Sequence, residues 1–152
     1  MEKTDKAKIK VLVLDDQEDI TEIELKVLRY YGFTAFGALD VEHAMEIFRK
    51  ECPQICILEV GPFSRRDKTG IHPAGDGMDV LKEIKQTDPA VVCIVVTVMK
   101  DDETRVQALE LGADHYFLKP TRNEVWLSKV EAAADQWLTQ NKKGNENGEN
   151  KN

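Results

Sequence analysis

Between Ile9 and Gln140, short apolar runs alternate with longer segments of helical period. Ile9 to Leu14, Ile55 to Val60 and Val91 to Val98 are rich in Val, Ile and Leu without polar alternation, the pattern of strands buried on both faces of a parallel sheet. Phe33 to Ala38 and His115 to Leu118 are weaker strand candidates. A first helix places Ile20, Ile23, Val27, Leu28 and Tyr31 on one stripe and stops at Gly32, a natural C-cap. A second, opened by Asp40 as N-cap, repeats at Val41, Ala44, Met45 and Phe48 before Pro53. Met78, Leu81 and Ile84 mark a third, which must end before Pro89. A fourth starts near Asp101 or Asp102 and closes at Gly112, with only a thin stripe of Val106 and Leu109. The fifth runs from about Arg122, with Trp126, Val130, Ala133 and Trp137 at helical spacing. Regular βα alternation of this kind predicts an α/β fold: a doubly wound, five-stranded parallel sheet with helices on both faces.

Composition narrows the class. The chain has 152 residues, 41% apolar and 32% charged, with 21 Lys and Arg against 28 Asp and Glu, a net charge of −7. One globular domain with a real core follows. A net negative surface argues against nucleic-acid and anionic-membrane partners, which need a basic face. The longest nearly apolar run, Ala90 to Met99, is too short to span a bilayer, and Met1 to Lys6 lacks the apolar segment of a signal peptide. A cytoplasmic location is expected. The 3 cysteines suit small reduced hydrophobes better than a disulfide framework, since Cys56 and Cys93 lie inside apolar runs. Residues 1–8 read as a polar leading segment and 9–140 as the domain. Residues 141–152, made of Asn, Lys, Gly and Glu, read as a disordered tail.

In an open parallel sheet the functional crevice lies beyond the carboxyl ends of the strands. The first strand ends in Asp15-Asp16, the third in Glu59, the fourth in Thr97 and the last in Lys119-Pro120. Singly, each has an ordinary structural explanation; together they bring carboxylates, a hydroxyl and an ammonium to one rim. Clustered carboxylates repel unless a cation sits among them, and oxygen ligands suit Mg²⁺, so Asp15, Asp16 and Glu59 are the candidate metal ligands. Thr97 and Lys119 are the candidate anion contacts.

Val11-Leu12-Val13-Leu14-Asp15-Asp16, Val95-Val96-Thr97 and Gly112 through Pro120 (Gly-Ala-Asp-His-Tyr-Phe-Leu-Lys-Pro) resemble a two-component response-regulator receiver domain, over roughly Ile9 to Gln140. The resemblance implies a flavodoxin-like strand order of 2-1-3-4-5 and an acidic pair holding Mg²⁺. It implies an acceptor carboxylate at the end of the third strand, and a Thr and a Lys that contact the phosphoryl group. It further implies a cis peptide at Lys119-Pro120, a switch aromatic at Tyr116, and an output face made by the fourth helix, fifth strand and fifth helix.

Three departures stand out. The acceptor position is Glu59 rather than Asp, about 1.5 Å longer in reach. In-line phosphoryl transfer depends on close placement of nucleophile and donor, so ordinary aspartyl-phosphate chemistry is expected to be lost and Mg²⁺ held weakly or not at all. Glu59 then either imitates the phosphorylated state or simply pairs with Lys119. The segment 61–75 is an inserted loop beside Glu59, whose Arg65, Arg66 and Lys68 either fold over the acidic rim, bind a partner or stay solvated. Val98 takes the place of a small residue and narrows the entrance. The function expected is an atypical stand-alone receiver, an interaction module rather than an enzyme, with other signalling proteins, a histidine kinase or a second copy as partners. Two readings compete with it: a receiver phosphorylated in a Mg²⁺-dependent way by a histidine kinase, and a flavodoxin-like redox domain.

Overall fold

The computed structural model describes the backbone of residues 3–149 and side chains of residues 5–141. The elements are α1 (Lys3–Lys6), β1 (Lys10–Leu14), α2 (Glu18–Tyr30), β2 (Thr34–Ala38), α3 (Val41–Glu51), β3 (Ile55–Leu58), β4 (Pro62–Asp67), β5 (Gly70–Asp76), α4 (Gly77–Thr87), β6 (Val92–Thr97), α5 (Asp102–Glu110), β7 (His115–Leu118) and α6 (Asn123–Glu149). Five strands form one parallel sheet in the order β2-β1-β3-β6-β7. Counting only these strands, that is the 2-1-3-4-5 order the resemblance implies. The alternating faces of β1, β3 and β6 feed two cores. Leu12, Leu14, Cys56, Leu58, Cys93 and Val95 pack under α3, α4 and α5, and Val11, Val13, Ile55, Ile57, Ile94 and Val96 pack under α2 and α6.

Caps fall where the sequence places them. Asp40 accepts from the His43 amide at 2.7 Å and Asp101 from the Thr104 amide at 2.9 Å, each satisfying a helix-end N–H that has no partner within the helix.

The stripe expected for the first helix is only partly buried. Leu28 is in the core, but Ile23 and Tyr31 are exposed, and the other fully buried positions of α2 are Thr21 and Glu24. The buried face of α2 thus includes polar positions near the sheet's carboxyl end. Thr21 Oγ1, for example, donates to the Asp15 carbonyl at 2.9 Å. Val106 and Leu109 of α5 likewise point outward, and Ala108 is the residue buried there.

Segment 61–75 is not an unstructured loop. β4 and β5 form an antiparallel hairpin pairing Arg65 with His72 and Arg66 with Ile71, with an irregularity between Pro62 and Ser64. Phe63 is buried and anchors it, and the Gly77 amide donates to the Gly61 carbonyl at 3.1 Å to close its base. At the tip Asp67 Oδ1 accepts from the Thr69 amide at 2.7 Å and its hydroxyl at 2.6 Å, an Asx turn that lets the chain reverse. Prolines and paired arginines hid these strands from a search for apolar alternation.

The α6 backbone continues helically to Glu149, across most of the segment expected as a tail; once a helix is nucleated each further residue adds one hydrogen bond, with no apolar face required. Residues 150–152 lie outside the described residues. No described helix is long and apolar enough to cross a membrane.

Candidate functional site

Ladder hydrogen bonds continue one residue past the strands and fix the backbone of each rim residue. Asp15 N donates to the Ala38 carbonyl at 3.2 Å, Glu59 N to Leu14 at 2.9 Å and Lys119 N to Thr97 at 2.8 Å. The carboxyl ends of β1, β3, β6 and β7 therefore present Asp15, Glu59, Thr97 and Lys119 to one point, as expected from the sequence. The Lys119-Pro120 peptide is cis.

Lys119 Nζ lies 2.5 Å from Asp15 Oδ2 and 3.0 Å from Glu59 Oε2. All three side chains are largely buried. Burial opposes the ammonium's charge, but hydrogen bonds and charges from Asp15 and Glu59 outweigh it and hold the Lys119 pKa above its ordinary value. The other oxygen, Glu59 Oε1, accepts from the Thr97 hydroxyl and from the Gly61 amide at 3.2 Å. Thr97 Oγ1 in turn accepts from the Met99 amide at 3.2 Å, and the Met99 carbonyl accepts from the Tyr116 hydroxyl at 2.8 Å. A continuous path of hydrogen bonds and one backbone residue thus runs from the central carboxylate to a half-buried tyrosine. Burial, with the charges of Asp101 and Glu59, raises the Tyr116 pKa, so its hydroxyl stays a donor.

Close packing keeps Glu59 in place. A Cβ on Gly77 would stand 2.0 Å from the Glu59 carbonyl oxygen, so only glycine lets α4 begin against this strand end.

Asp16 does not join the cluster. It is exposed and lines a groove of about 540 Å³ with Asp40, Glu42, Arg65 and Arg66. Among the described residues no ion pair engages Arg65, Arg66 or Lys68, so the cation between the rim carboxylates is Lys119 rather than a hairpin residue. Val98 is exposed and lines a separate cleft between α2 and α6.

One site residue escaped the sequence reading. Glu24 is 4% exposed and lines that cleft beside Lys119. Burial first, then the Asp15 and Glu59 charges against the opposing Lys119 ammonium, raise its carboxyl to about 8. A charged residue inside an apolar helical stripe was the only signal available.

An open parallel sheet in this order, with acid, hydroxyl and ammonium groups at its carboxyl end, defines a receiver-type signalling domain. The model of the response regulator receiver domain matches residues 11–131, and the chain belongs to that family. It is 34% identical over 113 residues to the "Probable transcriptional regulator ycf27" of Porphyridium aerugineum, covering 74% of this chain and 42% of that protein. Against the protein of the same name from Guillardia theta it is 35% identical, covering 74% of this chain and 40% of that protein. The chain thus spans about two fifths of the length of these relatives. The CheY-like response regulator receiver domain protein of Methanospirillum hungatei JF-1 superposes with a TM-score of 0.74 at 21% identity, covering 87% of this chain and 98% of that one. Family membership replaces the flavodoxin-like redox reading with two-component signalling. The relatives' names concern transcription, so the expectation of no nucleic-acid partner gains no support from them.

Receiver domains bind Mg²⁺ at the acidic end of the sheet. Here the expected trio of Asp15, Asp16 and Glu59 is not assembled: no three Asp, Glu, His or Cys side chains among the described residues are placed to hold a metal ion. Asp15 Oδ1 accepts from the Gln17 amide at 2.9 Å, its Oδ2 faces Lys119, and Glu59 spends its oxygens on Thr97, Gly61 and Lys119. Lys119 is the cation paired with both carboxylates.

Proposed function

We propose that this chain is an atypical receiver domain whose Glu59 imitates a phosphoryl group instead of accepting one, and that it works as a cytoplasmic interaction module rather than as an enzyme. The observation that supports this reading is the shared set of contacts on Glu59. Its carboxylate engages both the Thr97 hydroxyl and the Lys119 ammonium, the two groups that the family resemblance assigns to the phosphoryl oxygens. The path through Met99 couples that engagement to Tyr116. Output runs through the face of α5, β7 and α6, where Val106, Leu109, Leu118 and Val125 are exposed and suit an apolar contact with another signalling protein, a histidine kinase or a second copy of the chain.

The test is incubation with acetyl phosphate and Mg²⁺ followed by intact-mass measurement. No stoichiometric phosphoryl adduct is expected on the wild type, whereas an adduct at one phosphoryl per chain would restore the phosphorylatable reading.

A further inference from the structure

Glu24 occupies an unusual position for a carboxyl group. It lies on a helix face turned to the protein, with 4% of its surface exposed, and Asp15, Lys119 and Glu59 are its charged neighbours. It opens into a cleft of about 480 Å³ between α2 and the start of α6. Ile20, Ile23, Val96, Val98, Pro120 and Trp126 give it an apolar side, and Gln17, Lys119, Thr121 and Asn123 complete the lining around Glu24. Ile23 and Val98 are exposed at its mouth, and Trp126 is buried at its back.

Charge decides what such a cleft accepts. Asp15, Glu24 and Glu59 are three carboxyl groups against one ammonium, and Lys119 is already held by Asp15 and Glu59. Among the described residues no ion pair engages Glu24, so the carboxyl groups here outnumber the cations beside them. A carboxyl group drawn into a partly apolar cleft is stabilised by a charged donor that reaches it. An apolar side of this extent adds hydrocarbon contact, and the volume is in the range of small-molecule sites.

We propose that the cleft between α2 and α6 is a binding site for a small amphipathic amine, with its ammonium on Glu24 and its alkyl or aryl body against Ile20, Val96 and Trp126. When a protonated amine seats on neutral Glu24, the carboxyl proton leaves to solvent and an ammonium–carboxylate pair remains. The cleft shares Lys119 with the Glu59 contacts, but amine binding is read without a phosphodonor, so failure of this test and failure of the phosphoryl-mimic reading are distinguishable.

The experiment titrates the full chain with hexylamine, and separately with hexanol as the uncharged isostere, following the Trp126 indole and the Val96 and Val98 methyl resonances by NMR. Hexylamine should bind roughly tenfold or more tightly than hexanol. Glu24→Gln should abolish that preference while leaving hexanol binding in place. Equal binding of the two ligands to the wild type, amine binding unchanged in Glu24→Gln, or no shift with either ligand would overturn the proposal. Ile23→Trp fills the mouth from an exposed position without touching the core. Loss of amine binding there supports the site, and retention overturns it, even where Glu24→Gln fails to fold.

Discussion

The ammonium of Lys119 lies 2.5 Å from Asp15 Oδ2 and so joins the ends of two strands that are not neighbours in the sheet, β1 and β7. With Glu59 at 3.0 Å it forms a buried triad carrying one cation and two anions. Removing the only cation from such a group leaves carboxylates buried without compensation, whereas a buried pair as a whole adds little net stability. Lys119→Met is therefore expected to cost about 3–5 kcal/mol in urea unfolding. A loss below about 1 kcal/mol would mean that the triad is solvated like a surface pair.

Thr97 is fully buried and gives its hydroxyl to Glu59. Thr97→Val keeps the shape, removes that donor and leaves the Met99 amide without its acceptor. A destabilisation of about 1–3 kcal/mol is expected. Tyr116 should become more mobile, visible as exchange broadening of its ring resonances. Unchanged Tyr116 spectra would break the proposed link between Glu59 and the output face.

If Glu59 imitates a phosphoryl group, binding to a cognate partner depends on its charge. Glu59→Gln keeps the length and removes the charge; Glu59→Asp keeps the charge and withdraws it by about 1.5 Å. Both are expected to weaken partner binding measured by calorimetry. Equal affinities for all three proteins would show that Glu59 only holds the fold.

Glu24 makes stability depend on pH with a definite sign. Its carboxyl titrates at about 8 in the folded protein against an ordinary 4.5. Between those values the folded state holds a proton that the unfolded chain has lost, so the unfolded state binds fewer protons and stability falls as pH rises. The whole drop lies within that window and levels off above it. Glu24→Gln should flatten the curve and leave the variant more stable than wild type at pH values above about 8, by an amount on the order of a few kcal/mol. Parallel wild-type and variant stability curves would refute the assignment.

Gly77→Ala would place a methyl group 2.0 Å from the Glu59 carbonyl oxygen, and that neighbour is backbone rather than a yielding side chain. Either α4 or the end of β3 must move. A loss of about 1–3 kcal/mol in thermal or denaturant unfolding is expected, along with shifted amide resonances at Glu59 and Gly61. A neutral result would show that the hairpin base is looser than its Gly77 to Gly61 hydrogen bond indicates.

Much of this molecule is legible from its residues alone. Apolar runs without polar alternation mark β1, β3 and β6 because each contributes to cores on both faces. Asp40 and Asp101 announce helix starts by local hydrogen-bonding chemistry, which needs no distant partner. Asp15, Glu59, Thr97 and Lys119 are recognisable because a parallel sheet aligns its carboxyl ends, and alignment follows from topology.

Other features depend on which elements meet. The periodicity of α2 identifies an apolar stripe, but burial of Glu24 instead of Ile23 follows from the orientation of that helix against the sheet end. The hairpin 62–76 rests on cross-strand pairing and on Phe63 finding the core, neither of which leaves an alternating pattern. Asp16 follows Asp15 in the chain yet faces Arg65 and Arg66 across a different groove, since adjacent residues at a strand end point apart. Local propensity acts over a few residues and can be read in order along the chain. The place of one ammonium between Asp15 and Glu59 is a matter of ångströms, and only the assembled sheet brings residues 15, 59 and 119 within that distance.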